Sequence, residues 1–404
     1  MTEGLADEMN RSTVRIERLY RKWSEGGAGL HITGNVQVDR RQLERAGNVA
    51  IDGNGGIEEL KRYARAGTVA GNHLWMQINH PGRQTPKAVN ASPLAPSAVP
   101  LKVAGDNFGP PRAMTEEDIL DVIRRFAHVA EVARDTGFTG VQVHSAHGYL
   151  LSSFLSPLAN VRTDAWGGSI ENRSRALLEI VRAIRKKVGD DFPISVKLNS
   201  ADFQRGGFSR DDSTRVIQML NAEKVDLLEI SGGNYEQPKM VGAGSDDSGE
   251  ELPKKASTVA REAYFLQYAE EIRKVCTIPL MVSGGFRSAA AMNEALASGS
   301  MDVVGIGRPM CTELDMPAKL LADPTYVGPR WEDVLKLDRS TVPAGTSEEM
   351  IKVAEMWGMV GWFYVQLIRI GDGLEPDRDL SVWDAYHQYA GNELATAQRL
   401  QRAA

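Results

Sequence analysis

The alternation of short apolar runs with longer amphipathic stretches is the feature that most constrains the fold of this chain. Such alternation is typical of βα units arranged around a parallel sheet. It predicts seven strands, at residues 28–34, 73–79, 140–145, 194–199, 226–231, 279–283 and 302–306. It also predicts helices at residues 12–26, 116–136, 170–188, 211–223 and 289–298. We therefore expect an α/β fold.

Polar and glycine residues follow each predicted strand directly, for example His80, Ser145 and Gly284. In a parallel barrel these positions form the C-terminal rim, where active sites are built. A doubly wound sheet would instead show one glycine-rich fingerprint after its first strand. The strands themselves are almost continuously apolar, as in a sheet that is covered on both faces. Because the polar residues recur around the whole set, the sequence predicts a TIM (β/α)8 barrel.

The number of predicted strands is one too few to close such a barrel, which needs eight. The chain opens almost at once into the helix at residues 12–26, so we expect the missing first strand to precede Met1. After about residue 320 the βα rhythm stops, and helices are predicted around residues 348–358 and 380–402. We therefore expect two parts: a barrel at residues 1–322 and a C-terminal helical extension at residues 323–404.

An aromatic and apolar segment at residues 357–370 lies within this extension. Three interpretations are open: a helix that seals the barrel, a dimer contact, or an anchor on a membrane surface. Aromatic clusters of this kind are most often buried, so packing on the barrel is favoured. The segment is too short to cross a bilayer and contains Gln366 and Arg369.

The charge and the cysteine content exclude several classes of protein. The formal net charge of -6 argues against nucleic acid and against an anionic membrane as the main partner. Cys276 and Cys311 are the two cysteines, so we expect neither a disulfide framework nor a cysteine-rich metal site. The polar, acidic residues 1–10 do not form a secretory signal. We expect a cytoplasmic protein with a small-molecule substrate, no stable membrane insertion and possible homo-oligomers.

Two histidines, His144 and His147, lie three residues apart where a strand gives way to its loop, and Tyr149 follows. This pattern has three interpretations. A metal site would need a further ligand, and no H-E-x-x-H helix is present. The pair could be structural and satisfied by the backbone. Alternatively, the two rings grip a carbonyl or phenolate oxygen, with the nearby phenol as proton donor.

Several separated motifs help to decide among these three interpretations. They follow one another in order within residues 1–311. They are GGAGLHITGN, MQINHPGR, GVQVHSAHGYLLSSFLSPLANVRTDAWGGSIENR, SVKLNSADF, LLEISGG, MVSGGFRS and GIGRPM. In these motifs the chain strongly resembles the old yellow enzyme family of NADH:flavin oxidoreductases. The resemblance implies FMN as cofactor, NADH or NADPH as a transient electron donor, and reduction of the C=C bond of an α,β-unsaturated carbonyl compound. It favours the third interpretation of the histidines.

The resemblance also implies roles for individual residues. His144 and His147 would hold the substrate oxygen, and Tyr149 would donate a proton to the α-carbon. Gln77 would read the flavin pyrimidine, and Lys197 would lie beside N1 and O2, where many relatives have arginine. The other predicted cofactor contacts are Thr2, Ser231, Gly232, Ser283, Gly284, Gly285, Gly307 and Arg308.

The phosphate part of this prediction also has a physical basis, because glycine backbones and an arginine after the last two strands form a usual phosphate site in barrels. Arg287 would either assist there or form an ion pair on the rim. Asn35 stands where relatives often have glycine, so a contact there is expected from the backbone.

The pattern departs from the family at its start, where Met1 and Thr2 match the end of the family's first strand. We expect Thr2 to be a flavin contact on a frayed terminus, and the chain to bind FMN poorly or to aggregate. A truncated, catalytically impaired flavin- or phosphate-binding barrel is therefore one alternative. Same-family NADH oxidation, nitro-group reduction or demethylation is another. Two cysteines do not suffice for the iron–sulfur cluster of the larger family members.

Overall fold

An eight-stranded parallel sheet organises the computed structural model, which describes residues 2–103, 106–237 and 266–403. Its strands are β1 (Leu30–Ile32), β2 (Val36–Gln37), β3 (His73–Asn79), β4 (Gly140–Ser145), β5 (Ile194–Asn199), β6 (Leu227–Ser231), β7 (Leu280–Ser283) and β8 (Val303–Gly305). They pair in the order β1–β3–β4–β5–β6–β7–β8, and β2 follows β1 along the edge of β3. Within the described residues β1 and β8 are not paired with each other, so the sheet is open between them.

Helices connect and cover these strands. They are α1 (Val14–Glu25), α2 (Ile57–Gly67), α3 (Glu116–Asp135), α4 (Leu150–Leu155), α5 (Ile170–Val188), α6 (Arg210–Leu220), α7 (Leu266–Ile272), α8 (Ala289–Ala297), α9 (Met316–Ala322), α10 (Trp331–Val334), α11 (Glu348–Gly371) and α12 (Val382–Ala403). Each predicted strand contains an observed one, and the helices predicted before residue 320 agree to within a few residues at their ends. The α/β prediction is therefore confirmed.

Local hydrogen bonds fix where two of the helices begin. The Thr115 hydroxyl accepts from the backbone of Asp118, whose carboxylate accepts in return from the backbone of Thr115. Ser209 and Asp212 form the same reciprocal pair at the start of α6. These are capping boxes, which satisfy N–H groups that a helix end leaves without partners.

The two faces of the sheet differ in chemistry although both are buried. On β4, Val141 and Val143 belong to the core between sheet and helices, whereas Gln142 and His144 occupy the alternate positions. Because successive strand residues point to opposite faces, the polar side chains project into the barrel interior. Strands β5 and β6 repeat this pattern. The expectation of almost continuously apolar strands is therefore wrong for the inward face, which carries the site.

The C-terminal helices pack on the barrel. Trp362 of α11 is completely buried and, with Phe363 and Ile370, belongs to the same core as Leu19 of α1. Its indole nitrogen donates to the backbone oxygen of Leu380 at 2.9 Å. The favoured packing of residues 357–370 is thus confirmed. In the described part of the chain, we find no helix with the length and apolarity needed to span a membrane.

Helix α11 runs to Gly371, well beyond the predicted end near residue 358. Two glycines explain the difference. A Cβ on Gly361 would lie 3.0 Å from the Cβ of Tyr389, and a Cβ on Gly358 would lie 2.5 Å from Val382. These glycines therefore permit close packing against α12, a tertiary benefit that outweighs their low helix propensity.

Candidate active site

The candidate site lies at the carboxyl ends of β3 to β6, where strand register brings its side chains together. Gln77 is paired with Gln142, His144 with Lys197, and Lys197 with Glu229. These pairs form two adjacent rows across the interior of the sheet. The geometry places polar groups from four separate strands side by side, at the end where barrel enzymes build active sites.

His144, His147 and Tyr149 form a compact group of rings. The ring centres of His144 and His147 are 5.1 Å apart, and those of His144 and Tyr149 are 4.8 Å apart. His147 has a left-handed backbone with φ of 63°, an uncommon conformation for a residue other than glycine. Its backbone N–H donates to Asn199 at 3.1 Å, and its carbonyl accepts from Gln84 at 3.0 Å. Two neighbouring segments thus hold this strained residue in place.

Both histidines are held in the neutral form. Burial lowers the pKa of His144 well below its usual value, and His147 and Lys197 lower it further. Burial and then Lys197 likewise lower the pKa of His147. Nδ1 of His144 accepts from the backbone N–H of Ala146 at 3.2 Å, so a neutral His144 carries its proton on Nε2. His144 therefore offers one N–H donor.

The second histidine contacts a residue that we predicted as a cofactor contact. Nε2 of His147 lies 2.7 Å from the hydroxyl of Ser231. When Ser231 donates this hydrogen bond, Nδ1 of His147 carries the proton and offers a second donor. The side chain of Ser231 is thus directed at His147, and Gly232 follows it as a buried residue.

Tyr149 is linked to a pair of residues that the sequence analysis missed. Its hydroxyl lies 3.2 Å from the hydroxyl of Tyr235, which donates to Glu44 at 3.3 Å. Asn35 donates to the other carboxylate oxygen of Glu44 at 3.2 Å and to Tyr149 at 3.5 Å. Asn35 thus reaches the site with its side chain, and not with its backbone alone. Burial, followed by Glu44 and Tyr235, raises the pKa of Tyr149 well above its usual value.

A second network connects the predicted residues Gln77 and Lys197 through two unpredicted ones. Nε2 of Gln77 donates to Gln142 at 2.5 Å, and Gln142 donates to Oε2 of Glu229 at 2.9 Å. Lys197 and Ser283 both donate to Oε1 of Glu229, at 2.7 Å and 2.6 Å. Burial raises the pKa of Glu229, but Lys197 and the donated hydrogen bonds outweigh it, so the pKa lies below its usual value.

Polar residues at every second strand position were the signal that could have revealed Gln142 and Glu229. Gln142 precedes His144 by two residues, and Glu229 precedes Ser231 by two. In a strand this spacing places both members of a pair on one face. Tyr235 and Glu44 lie outside strands, and no comparable local pattern marks them.

Buried polar atoms without partners show that the interior suits a polar ligand. Within the described residues these include Oε1 of Gln77, both side-chain polar atoms of Asn79, and Nε2 of His80. Buried polar groups are normally hydrogen-bonded, so a set of unpartnered ones at a strand end requires an explanation. A flavin pyrimidine ring, which carries both donors and acceptors, fits this donor and acceptor set.

The residues predicted for the phosphate lie after β7 and β8. Gly284 and Gly285 have φ of 123° and 88°, which favour glycine, and a Cβ added to Gly307 would meet nothing within 4 Å. The backbone can therefore be approached closely. The Ser283 hydroxyl, in contrast, is directed at Glu229. A contact from Ser283 to phosphate would have to come from its backbone.

Two arginines flank this end of the site. Arg287 is buried and donates to the carbonyl of Pro329 at 3.1 Å and to Glu332. Of its two predicted roles, the geometry shows the ion pair. Arg308 lies farther from Glu332, at 3.8 Å. We retain Arg308 as the arginine predicted to pair with a phosphate.

Thr2 occupies a different environment from the predicted one. It is 1% exposed; its hydroxyl accepts from Asn48 at 2.5 Å and its carbonyl from Arg45 at 3.2 Å. The guanidinium of Arg45 is itself stacked on the ring of Tyr364 at 4.1 Å. The expectation of a frayed terminus is therefore wrong, because Thr2 is buried and held by Asn48 and by Arg45, which itself packs on Tyr364 of α11. Its role as a cofactor contact stays a prediction.

The comparison with known families resolves the identity of this arrangement. The sequence model of the NADH:flavin oxidoreductase / NADH oxidase family matches residues 1–323. The chain belongs to this family. Membership confirms the predicted class, a flavin-dependent oxidoreductase, and FMN with NAD(P)H are the cofactor and electron donor of that family. Within the described residues, no group of three or more histidine, cysteine, aspartate or glutamate side chains could hold a metal ion.

Individual relatives agree with this assignment. The chain is 36% identical over 352 residues to the NADH-dependent flavin oxidoreductase iliE of Neonectria sp. (strain DH2), covering 82% of this chain and 46% of that protein. It is 37% identical over 302 residues to the NADH-dependent flavin oxidoreductase nadA of Aspergillus parasiticus, covering 73% and 66%. The chain thus spans less than two thirds of the length of each.

The fold is shared with a solved structure of the old yellow enzyme type. The old yellow enzyme homologue from Zymomonas mobilis superimposes with a TM-score of 0.67 at 24% identity, covering 82% of this chain and 89% of that one. At this identity the likeness concerns the fold. It supports the predicted barrel architecture.

Proposed function

We propose that this chain binds FMN, accepts electrons from NADH or NADPH, and reduces the activated C=C bond of α,β-unsaturated carbonyl compounds in a ping-pong reaction. The observation that carries the proposal is the group formed by His144, His147 and Tyr149. Two neutral imidazoles and one phenol converge there within 4.8 to 6.5 Å of one another, measured between ring centres.

FMN, when bound and reduced by the nicotinamide, supplies the hydride for the β-carbon of the substrate. Its pyrimidine edge would be held by Gln77 and Lys197, and its phosphate by the segments at Gly284–Gly285 and Gly307–Arg308. In this arrangement residues 1–322 form the FMN-binding barrel, and residues 323–404 form a helical extension that packs on it.

The two histidines bind the carbonyl oxygen of the substrate. His144 offers Nε2–H, and His147 offers Nδ1–H while Ser231 donates to its Nε2. Fixed donors aimed at an oxygen that gains negative charge stabilise the transition state in a water-poor site. Because the pKa values of both rings are lowered, they act as neutral donors, and protonation of the substrate is left to another group.

Tyr149 supplies that proton, to the α-carbon. Its raised pKa keeps the phenol protonated through the physiological pH range. An enolate-like carbon is strongly basic, so a phenol of high pKa still suffices as the acid. Tyr235 then lies within hydrogen-bond distance of the phenolate that is formed, at 3.2 Å between the two oxygens.

The test is anaerobic spectroscopy of the purified full-length chain reconstituted with FMN. NADH or NADPH should bleach the flavin bands, and cyclohexenone should restore them in wild-type protein. In His144→Leu the bleaching should persist, whereas the return with cyclohexenone should slow by about 100-fold, the loss typical of removing one such donor. The matched control is His387→Leu on α12, where the residue is exposed and lies outside the site. Flavin that reoxidises with oxygen but not with cyclohexenone would contradict ene-reduction and favour NADH oxidation.

A further inference from the structure

We propose that Glu229 is a positioning residue that, through Gln142, determines which atom Gln77 presents to the cofactor. The consequence is that the site recognises an N–H donor at this point, such as the imide N–H of the flavin pyrimidine ring. The inference concerns cofactor recognition and does not depend on which substrate the enzyme reduces. It rests on a chain of hydrogen bonds whose direction is fixed at one end.

The fixed end is the carboxylate of Glu229. An ionised carboxylate can only accept hydrogen bonds. Lys197 and Ser283 donate to its Oε1, and the side chain of Glu229 is only 4% exposed. A buried carboxylate beside an ammonium group stays ionised, so each neighbour of Glu229 has to turn a donor towards it.

Gln142 is one of the neighbours that have to donate a hydrogen bond to Glu229, and this fixes the orientation of its amide. Its Nε2 donates to Oε2 of Glu229 at 2.9 Å and to the hydroxyl of Ser195 at 3.1 Å. With its nitrogen committed to Glu229, Gln142 turns its oxygen towards Gln77. An amide has one donor end and one acceptor end, so the orientation of Gln142 is not free.

Gln142 in turn fixes the orientation of the Gln77 amide, which faces the site. Its Nε2 donates to the oxygen of Gln142 at 2.5 Å. Its Oε1 is consequently the atom left over, and this oxygen is buried without a partner. Gln77 as a whole is 3% exposed, so water does not readily satisfy the oxygen. The leftover acceptor requires a donor from a ligand.

The orientation of the Gln77 amide determines which group of a ligand it can bind. A flavin pyrimidine ring has a single imide N–H between two carbonyl oxygens, and only the N–H can donate to Oε1 of Gln77. If Gln77 were reversed, its NH2 group would face the ring and would match a carbonyl instead. Glu229 therefore acts on recognition from two side chains away, without contacting the ligand itself.

Glu229 has a second effect, on charge. It forms a buried ion pair with Lys197, the cation that we place beside the flavin. The pair is close to neutral, so Lys197 stabilises a reduced, anionic ring less than an uncompensated lysine would. Removal of the carboxylate charge should therefore change two properties, the amide orientation and the reduction potential. Removal of Gln142 should change only the first.

The experiment compares binding of FMN and 3-methyl-FMN, which lacks the imide N–H, to the full-length apoprotein by quenching of flavin fluorescence. Wild type should bind 3-methyl-FMN about tenfold or more weakly than FMN, the loss expected for one unmade buried hydrogen bond. In Glu229→Gln and in Gln142→Met, Gln77 is free to reverse, so the ratio should fall to within about threefold. The matched control is Glu131→Gln, which removes an exposed ion pair with Lys187 and should keep the wild-type ratio.

Gln77→Ala distinguishes recognition of the N–H from a steric clash with the methyl group. This variant has no acceptor and leaves more space, so the ratio of the affinities for FMN and 3-methyl-FMN should also fall to within about threefold. A ratio that stays at the wild-type value would show that the methyl group merely clashes, and would overturn the inference. An unchanged ratio in Gln142→Met would overturn it as well. The reduction potential of bound FMN should rise in Glu229→Gln and stay near wild type in Gln142→Met. Enone turnover plays no part in these measurements, so failure of the proposed reaction and failure of this inference are distinguishable.

Discussion

Replacement of Tyr149 by phenylalanine isolates the proton-donor step from the rest of the site. The change deletes one hydroxyl and keeps the ring, which packs 4.8 Å from His144 and 6.0 Å from Tyr235, between ring centres. The hydrogen bonds lost are those to Tyr235 at 3.2 Å and to Asn35 at 3.5 Å. Both partners keep their hydrogen bonds to Glu44.

The expected effect on stability is small and that on catalysis is large. Loss of two long hydrogen bonds, whose partners stay satisfied, should lower the free energy of unfolding by about 1 kcal/mol. Removal of a general acid typically slows its step by about 10²–10⁴-fold. A 100-fold loss corresponds to about 2.7 kcal/mol in the activation barrier. The catalytic effect should thus clearly exceed the structural one.

Stopped-flow absorbance measures the two half-reactions separately. In Tyr149→Phe, anaerobic flavin reduction by NADH or NADPH should proceed at the wild-type rate, because that step needs no proton on carbon. Reoxidation by cyclohexenone should slow by about 100-fold or more. Tyr386→Phe on α12 serves as the matched control, since the ring of Tyr386 packs against His387, which lies outside the site.

Three results would refute this reasoning. Reoxidation by cyclohexenone within about threefold of wild type would show that another group, or water, delivers the proton. An equal slowing of both half-reactions would show that the hydroxyl maintains the site as a whole. A melting temperature far below that of wild type would lead to the same conclusion.

Three further predictions concern acid stability, the C-terminal helices and substrate affinity. Burial lowers the pKa of His80 to about 4, so between pH 6.5 and 4 the folded chain binds fewer protons at this residue than the unfolded chain, and stability decreases as the pH falls through that window. We expect His80 to account for a loss of about 2 kcal/mol between pH 8 and pH 5, so urea titrations should show an acid loss that is smaller by about this amount in His80→Gln than in wild type. Glu393→Gln leaves the buried guanidinium of Arg45 without its carboxylate, and chemical denaturation should show a loss of about 2 kcal/mol, reduced from the fully buried case because Glu393 is 26% exposed; an unchanged midpoint would contradict this. Ser231→Ala removes the partner of His147 at Nε2, so the KM for cyclohexenone should rise by about tenfold with FMN content unchanged, and a loss of FMN instead would identify Ser231 as a cofactor contact.

The sequence was sufficient to predict most helices and strands and to recognise the long central motif. Strands β3, β4 and β5 occur at the predicted bounds, and the capping boxes at Thr115 and Ser209 join residues three apart in the sequence. These features depend on periodicity and on hydrogen bonds between residues three apart, which the local sequence contains.

The hydrogen-bond partners of the site could not be predicted in the same way. Tyr235 and Glu44 are 191 residues apart, and Gln77 and Gln142 are 65 apart. Such pairs arise only when strand order and register bring distant segments together. Nothing near Arg287 in the sequence shows that it pairs with Glu332, 45 residues later.

By itself, the sequence determined the α/β class, most strand and helix positions and the family, and it predicted His144, His147 and Tyr149 as site residues. The tertiary structure alone decided that Thr2 is enclosed, that Lys197 is neutralised by Glu229, and which atom of Gln77 is left for a ligand. The physical reason is that propensity, periodicity and capping act within a few residues. Charge compensation and hydrogen-bond direction are instead set by neighbours that only the pairing of parallel strands supplies.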